Sequence, residues 1–228
     1  MQLERKPILC YVTDRRALGL GRAPSTAESS AENISAVATQ ALLEKIRNAA
    51  STGINWIQIR EKNLETRVLA ELVRSAIAAS RETHMSVLVN DRLDVALATG
   101  AAGVHLGETS LQVETVAEWR RSAGRAEFLI GASCHSIEAA EAAAGAGADY
   151  LFFGPVFATP SKAAFGAPQG IERLREVCRS VRIPVLAIGG ITVENAHSCI
   201  AAGAAGLAAI RLFQAASDVS VVVSRLRE

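Results

Sequence analysis

Residues 56–62 read Trp56-Ile57-Gln58-Ile59-Arg60-Glu61-Lys62. A stretch rich in Ala, Leu, Glu and Arg follows, from Leu64 to Thr83, and then a second short apolar run, Val87 to Val89, that closes in Asn90-Asp91-Arg92. A strand, a helix and another strand in that order predict a parallel pair joined by a crossover helix. Within the first run, period-two alternation sets Gln58, Arg60 and Lys62 on one side and Ile57 and Ile59 on the other. The isoleucines suit a layer covered by helices. Gln58 and Arg60 are then expected to point to the opposite face of the sheet.

The same unit recurs along the chain. Ile8 to Val12, Val104 to Leu106, Phe128 to Ile130, Tyr150 to Val156, Val185 to Ile188 and Leu207 to Phe213 bring the apolar runs to eight. Helical stretches lie between them, among them Ile137 to Ala146 and Ile171 to Val181. Eight alternating units in 228 residues favour one closed (β/α)8 TIM barrel over an open sheet, as a single domain spanning residues 1–228. One segment breaks the rhythm. Gly19 to Asn33 is rich in Gly, Ser, Ala and Pro and is expected to be a flexible loop after the first strand, either a lid over the catalytic face or an insertion without function.

Composition narrows the function classes. Half the residues are hydrophobic and 21% are charged, which predicts a large core and excludes wholesale disorder. The formal charge is +1 and no basic stripe is present, so a nucleic-acid surface is not expected. Cys10, Cys134, Cys178 and Cys199 form no CxxC pair and no zinc spacing, which suits buried thiols in a reducing, cytoplasmic setting. The N-terminus lacks the apolar core of a signal peptide, and no apolar run is long enough to span a membrane.

In a barrel of this kind the chemistry sits at the C-terminal ends of the strands. Polar groups gather there: Thr13-Asp14-Arg15, Arg60-Glu61-Lys62, Asn90-Asp91, Gly107-Glu108, Ser133-Cys134-His135, Thr159-Pro160-Ser161-Lys162, Gly189-Gly190 and Arg211. Arg60 and Lys62 together suit a pyrophosphate, the one by its fork and the other as a point charge. The alternative is an internal ion pair from Arg60 to Asp14 or Asp91. Asp91 could hold Mg²⁺ with substrate phosphate oxygens, or cap the helix Arg92 to Thr99. Gly189-Gly190, before a helix opening at Thr192, suits close approach of backbone N–H groups to a phosphate. His105 alternates with Val104 and Leu106 and reads as a satisfied core histidine. His135 follows a strand end, either as an acid or base near neutral pH or as a helix-start residue beside Ser136.

These motifs resemble the thiamine-phosphate synthase family, which includes a thiazole tautomerase branch. The resemblance rests on Tyr11-Val-Thr-Asp14, Gln58-Ile-Arg-Glu-Lys62, Val89-Asn-Asp-Arg92, Gly103-Val-His-Leu-Gly107, the run Gly154 to Lys162, and Ala187-Ile-Gly-Gly-Ile191, and covers essentially the whole chain. It implies condensation of hydroxymethylpyrimidine pyrophosphate with thiazole phosphate, through a pyrimidine-stabilised cation. It further implies that Arg60, Lys62 and Lys162 neutralise the leaving pyrophosphate, with Mg²⁺ on Asp91. Gln58 and Asn90 would orient the pyrimidine or its pyrophosphate, Ser133 would lie near the reacting groups, and Thr159, Ser161, Gly189, Gly190, Ile210 and Arg211 would line the phosphate side. Partners are then small phosphorylated molecules, and a homodimer is compatible with the architecture.

Two positions depart from the family pattern. Ser110 stands where synthases carry a second metal-binding aspartate, leaving Glu108 as the candidate to supply that charge. Arg211 stands where they commonly carry a small residue. The tautomerase alternative needs no Mg²⁺ and would use His135 as proton shuttle, with Arg60 and Lys62 on a substrate carboxylate. A non-catalytic phosphate-ligand binder on the same barrel is a third reading.

Overall fold

The computed structural model describes residues 6–18, 31–159 and 167–228. Eight parallel strands close on themselves: β1 Ile8–Val12, β2 Trp56–Ile59, β3 Ser86–Asn90, β4 Gly103–Leu106, β5 Leu129–Cys134, β6 Tyr150–Phe153, β7 Val185–Ile188 and β8 Gly206–Ala209. The seam is β1 against β8, with Tyr11 opposite Ala209. Crossover helices follow the strands: α1 Ala31–Ala50, α2 Thr66–Ser80, α3 Leu93–Thr99, α4 Val113–Ser122, α5 Ile137–Gly145, α6 Gly170–Ser180 and α7 Val193–Ala201. The short α8 Arg211–Gln214 and α9 Val219–Arg225 follow β8. The TIM barrel expected from the strand–helix alternation is the observed fold. No helix among the described residues is long and apolar enough to cross a membrane.

Strand alternation divides the core in two. Leu9, Tyr11, Ile57, Ile59, Val87 and Val89 face outward and pack with helix residues such as Leu42, Ile46 and Val73. Cys10, Val12, Leu88, Tyr150, Phe152, Leu186 and Ala208 face inward and form a separate cluster in the lumen. The lumen is thus a packed core, not a pore.

Several boundaries move from their sequence-based positions. β5 runs past its apolar stretch at Ile130 to Cys134, the end expected at Ser133-Cys134-His135, because Gly131, Ala132 and Ser133 still pair with Tyr150, Leu151 and Phe152 of β6. A strand interior can hold such small residues where a bulky neighbour needs the room, and hydropathy alone does not see this. β6 stops at Phe153 where the chain meets Pro155, which cannot donate to a ladder. β8 ends at Ala209 and not at Phe213, and Arg211 opens α8 in place of closing the strand. Phe213 is buried all the same, its ring centroid 5.9 Å from that of Tyr11, so an apolar helix turn had the appearance of a strand end. The loop expected over Gly19 to Asn33 is shortened by α1, which begins at Ala31; residues 19–30 lie outside the described residues.

Gly131 explains how the lumen is filled. A Cβ built there would stand 2.1 Å from Cζ of Tyr150, so the glycine vacates the space that the tyrosine ring occupies. Tyr150 in turn stacks at a tilt on Trp56 and Phe152, with centroids 4.7 and 5.5 Å away. Gly131→Ala is therefore expected to lower unfolding free energy in urea by about 1–3 kcal/mol through overpacking. Gly145→Ala, at the end of α5 with nothing within 4 Å of the added carbon, is expected to change it by less than about 0.5 kcal/mol. Equal stabilities for the two variants would contradict this account of the lumen.

Candidate active site

The strand ends are braced before they are functional. Glu61 falls in the outward, apolar phase of β2, with Ile57 and Ile59, yet it is a carboxylate and is buried. It accepts from Thr13 Oγ1 at 2.8 Å, from the Arg15 backbone N–H at 3.1 Å, and from the Arg15 guanidinium at 3.4 Å. Thr13 Oγ1 in turn accepts from the Arg60 backbone N–H at 2.9 Å. One carboxylate thus ties the end of β1 to the end of β2. Gln214 of α8 fastens the same loop from the other side, accepting from Asp14 N–H at 3.1 Å and from the Tyr11 hydroxyl at 3.2 Å, and donating to the Asp14 carbonyl. Sequence reasoning missed Glu61 and Gln214 as braces. The available signal was an acidic residue in the apolar phase of a strand, which needs a buried donor set.

This bracing holds Arg60 half-buried at the mouth. Its side chain makes no ion pair among the described residues; the buried pair of the rim is Arg15–Glu61, so Asp14 and Asp91 do not neutralise Arg60. Lys62 is exposed beside it. Below them Gln58 is almost wholly buried and donates from Nε2 to Asn90 Oδ1 at 2.9 Å. Its Oε1 is buried and has no hydrogen-bond partner among the described residues. A buried acceptor without a donor costs free energy that a ligand N–H or O–H could recover.

Asp91 adopts φ 68°, alone among described non-glycine residues in the left-handed region. Such strain gathers at functional sites. α3 is capped at Arg92 with no side-chain cap bond, so the alternative role of Asp91 as helix cap is not realised. Its exposed carboxylate makes no hydrogen bond or ion pair among the described residues. Ser110 Oγ accepts from Gly107 N–H at 2.7 Å, closing the turn after β4. Glu108, in that turn, lies with Oε1 3.7 Å from Nε2 of His135, whose Nδ1 is hydrogen-bonded to the Gly154 carbonyl. Among the described residues no group of three or more His, Cys, Asp or Glu side chains is gathered as a metal cluster.

On the opposite rim, Gly189 and Gly190 adopt φ 95° and 66°. A Cβ at Gly190 would stand 2.6 Å from the Ala158 carbonyl oxygen, so only glycine allows the β6 and β7 loops to approach. α7 begins with a capping box of Thr192 and Asn195, and Asn195 Nδ2 also donates to the Gly190 carbonyl at 2.9 Å. The Gly190 N–H donates to no group among the described residues, and it stands just before a helix N-terminus, where an anion is favoured. Arg211 donates to Thr159 Oγ1 at 2.7 Å, and Ile210 borders the lumen cluster. Ser161 and Lys162 lie outside the described residues. The wall between the two rims carries Ser133, whose Oγ is 2.9 Å from Nε2 of His105.

The family model described as thiamine monophosphate synthase matches residues 30–213. The chain belongs to this family. It is 45% identical over 177 residues to a putative thiamine-phosphate synthase of Geobacter sulfurreducens, covering 78% of this chain and 81% of that one. It is 42% identical over 186 residues to the thiamine-phosphate synthase of Moorella thermoacetica, covering 82% and 87%. Among solved structures it resembles the thiamine phosphate pyrophosphorylase of Pyrococcus furiosus, at 35% identity and a TM-score of 0.77, over 99% of this chain and 96% of that one. A 3-hexulose-6-phosphate synthase, 18% identical with a TM-score of 0.59, shares the fold. Of the two positions singled out in the sequence, Ser110 closes a turn and Arg211 braces Thr159.

His105 has a measurable consequence. Burial, and then the positive charge of Arg60, hold its pKa down at about 3 against an ordinary 6.5. Between those values the unfolded chain binds a proton that the folded chain refuses, so stability falls as pH falls. Relative to His105→Gln, which cannot titrate, the wild-type protein is expected to lose up to about 1.4 kcal/mol per pH unit below pH 6.5. Urea midpoints measured from pH 7 to pH 4.5 check this; parallel curves for the two proteins would count against it.

Proposed function

We propose that this protein is a thiamine-phosphate synthase, a transferase that joins hydroxymethylpyrimidine pyrophosphate to thiazole phosphate and releases pyrophosphate. The observation that carries this reading is Arg60, which has no carboxylate partner among the described residues, held above the buried amide oxygen of Gln58, which has no donor among them. Such a site wants a ligand that is anionic at one end and carries a hydrogen-bond donor at the other. A phosphorylated aminopyrimidine has both.

In the reaction the bond between the pyrimidine methylene carbon and the pyrophosphate oxygen breaks, and the electron pair leaves with the oxygen. The thiazole nitrogen then donates its lone pair to the methylene carbon. Charge develops on the leaving group, so donors fixed beforehand at its position lower the barrier. Arg60 and Lys62 supply that stabilisation, and the family resemblance adds Lys162, which lies outside the described residues. Gln58 and Asn90 orient the pyrimidine ring. Gly189 and Gly190 offer backbone N–H to the thiazole phosphate, with Thr159, Ile210 and Arg211 alongside; the resemblance adds Ser161, which lies outside the described residues. Mg²⁺ fits this donor set: the ion needs only one or two carboxylates when phosphate oxygens and water complete its shell, and the Asp91 carboxylate is available. Bound there, it would offset negative charge on the pyrophosphate. Glu108 is the candidate for a second carboxylate, by way of the β4 turn.

The names of the relatives support a synthase over a thiazole tautomerase or a non-catalytic binder. Four free thiols suit a reducing, cytoplasmic setting. The test is to incubate the protein with both substrates, with and without Mg²⁺, and to follow thiamine phosphate and pyrophosphate. Metal-dependent appearance of both products is expected, with Arg60→Ala lowering kcat by about 10²–10³-fold. Folded protein that forms neither product would overturn the reading and direct attention to a tautomerase assay on His135. A Glu108→Gln variant with unaltered Mg²⁺ dependence would remove Glu108 from the metal site.

A further inference from the structure

Ser133 and His105 have the look of a nucleophile and its base. His105 Nε2 lies 2.9 Å from Ser133 Oγ, the spacing of an activated serine. The other ring nitrogen, Nδ1, lies 3.1 Å from the Tyr150 hydroxyl. Which way the protons run along this three-membered chain decides what the serine can do.

The lumen fixes the direction. The His105 ring is fully enclosed, with Phe152 and Tyr150 rings 4.1 and 5.5 Å away and the Arg60 charge nearby, surroundings that keep the imidazole neutral with one N–H. Two arrangements are then available. In one, Nδ1–H donates to Tyr150, and the buried tyrosine O–H must find another acceptor; of the side chains clustered with it in the lumen, among them Cys10, Val12, Leu88, Leu186 and Ala208 together with Trp56, only the Cys10 sulfur can accept, and weakly. In the other, the Tyr150 O–H donates to Nδ1, the ring proton sits on Nε2, and Nε2–H donates to Ser133 Oγ. Only the second gives the buried hydroxyl hydrogen a strong side-chain acceptor.

We infer that Tyr150 and His105 are positioning residues that make Ser133 a hydrogen-bond donor to the bound substrate and prevent it from acting as a nucleophile. With Nε2 already protonated, His105 cannot accept the serine proton. The serine oxygen receives a hydrogen bond from within the barrel, and its own hydrogen is turned away from His105. Ser133 is half-buried, two residues nearer the C-terminal end of β5 than Gly131, which pairs with His105 itself. Its hydrogen therefore points to the mouth and suits a lone-pair acceptor on the ligand, a ring nitrogen or a phosphate oxygen. The proton direction belongs to the protein alone. That the acceptor lies on a phosphorylated substrate rests on the synthase reading.

Nitrogen-15 NMR of histidine-labelled, ligand-free protein at pH 7 tests the direction without any assay. The expected result is His105 as the neutral Nε2–H tautomer; a proton on Nδ1 would overturn the proposal. Tyr150→Phe removes the donor that selects the tautomer. It is expected to move His105 toward a tautomer mixture and to lower kcat by about tenfold with KM nearly unchanged. An unaltered tautomer in that variant would assign the selection elsewhere and overturn the role of Tyr150. Ser133→Thr, which keeps the hydroxyl, is expected to retain far more activity than Ser133→Ala. Mass spectrometry of the wild-type protein during turnover should find no adduct on Ser133, and a covalent intermediate there would refute the donor role. Failure of the synthase assay with the Nε2–H tautomer present would reject the substrate and leave the proton direction standing.

Discussion

A closed parallel barrel must fill its own lumen with whatever its eight strands point inward, and here that filling depends on one exchange of volume. Gly131 gives up a side chain so that the Tyr150 ring can cross the space, and the ring then supports Trp56, Phe152 and His105. Dense packing of this kind leaves little room for a buried polar group to move. The imidazole of His105 is therefore held at fixed distance from two hydroxyls, one closed inside the core and one at the edge of the mouth. The apolar floor of the site and its polar chemistry are parts of one packed layer.

The rim is organised by a different force. Glu61 is a buried carboxylate whose donors come from two strands, and removing either side of such a pair leaves an uncompensated charge. Its effect is to place the backbone of Arg60, whose guanidinium makes no ion pair among the described residues. Charge is satisfied where it is structural and left without a described partner at the mouth. Gln58 follows the same logic in a neutral group, with one end of the amide bonded to Asn90 and the other end open. On the far side of the mouth, Gly190 and the capped start of α7 leave a backbone donor available. The site is thus two incomplete sets of partners facing one another across a rigid lumen.

Ser110 and Arg211 can be read in the same physical terms. Ser110 accepts a turn-closing hydrogen bond from Gly107, in the turn that carries Glu108 beside His135. Arg211 reaches across from α8 to Thr159 and ties the loop after β6 to the end of β8. Both side chains make contacts inside the protein, so both act on how the loops stand.

The sequence by itself determined the barrel, because strand and helix periods alternate eight times and each period is a local property of side-chain spacing. It determined the inward phase of Gln58 and Arg60 for the same reason, and β1, β2 and β7 fall on the expected residues. It also brought the polar residues to one end of the barrel, since every strand runs the same way. Tertiary structure alone decided which of these residues are satisfied. That Arg15 and not Arg60 meets the buried carboxylate, and that Tyr150 reaches His105 across the lumen, are pairings between residues 45 or more apart, and the left-handed conformation of Asp91 shows only in the folded backbone. Hydropathy carries no information about such partners. The end of β8 was misjudged for a related reason: Phe213 is as buried as any strand residue, and burial by a neighbouring ring cannot be told from burial in a sheet until the chain has folded.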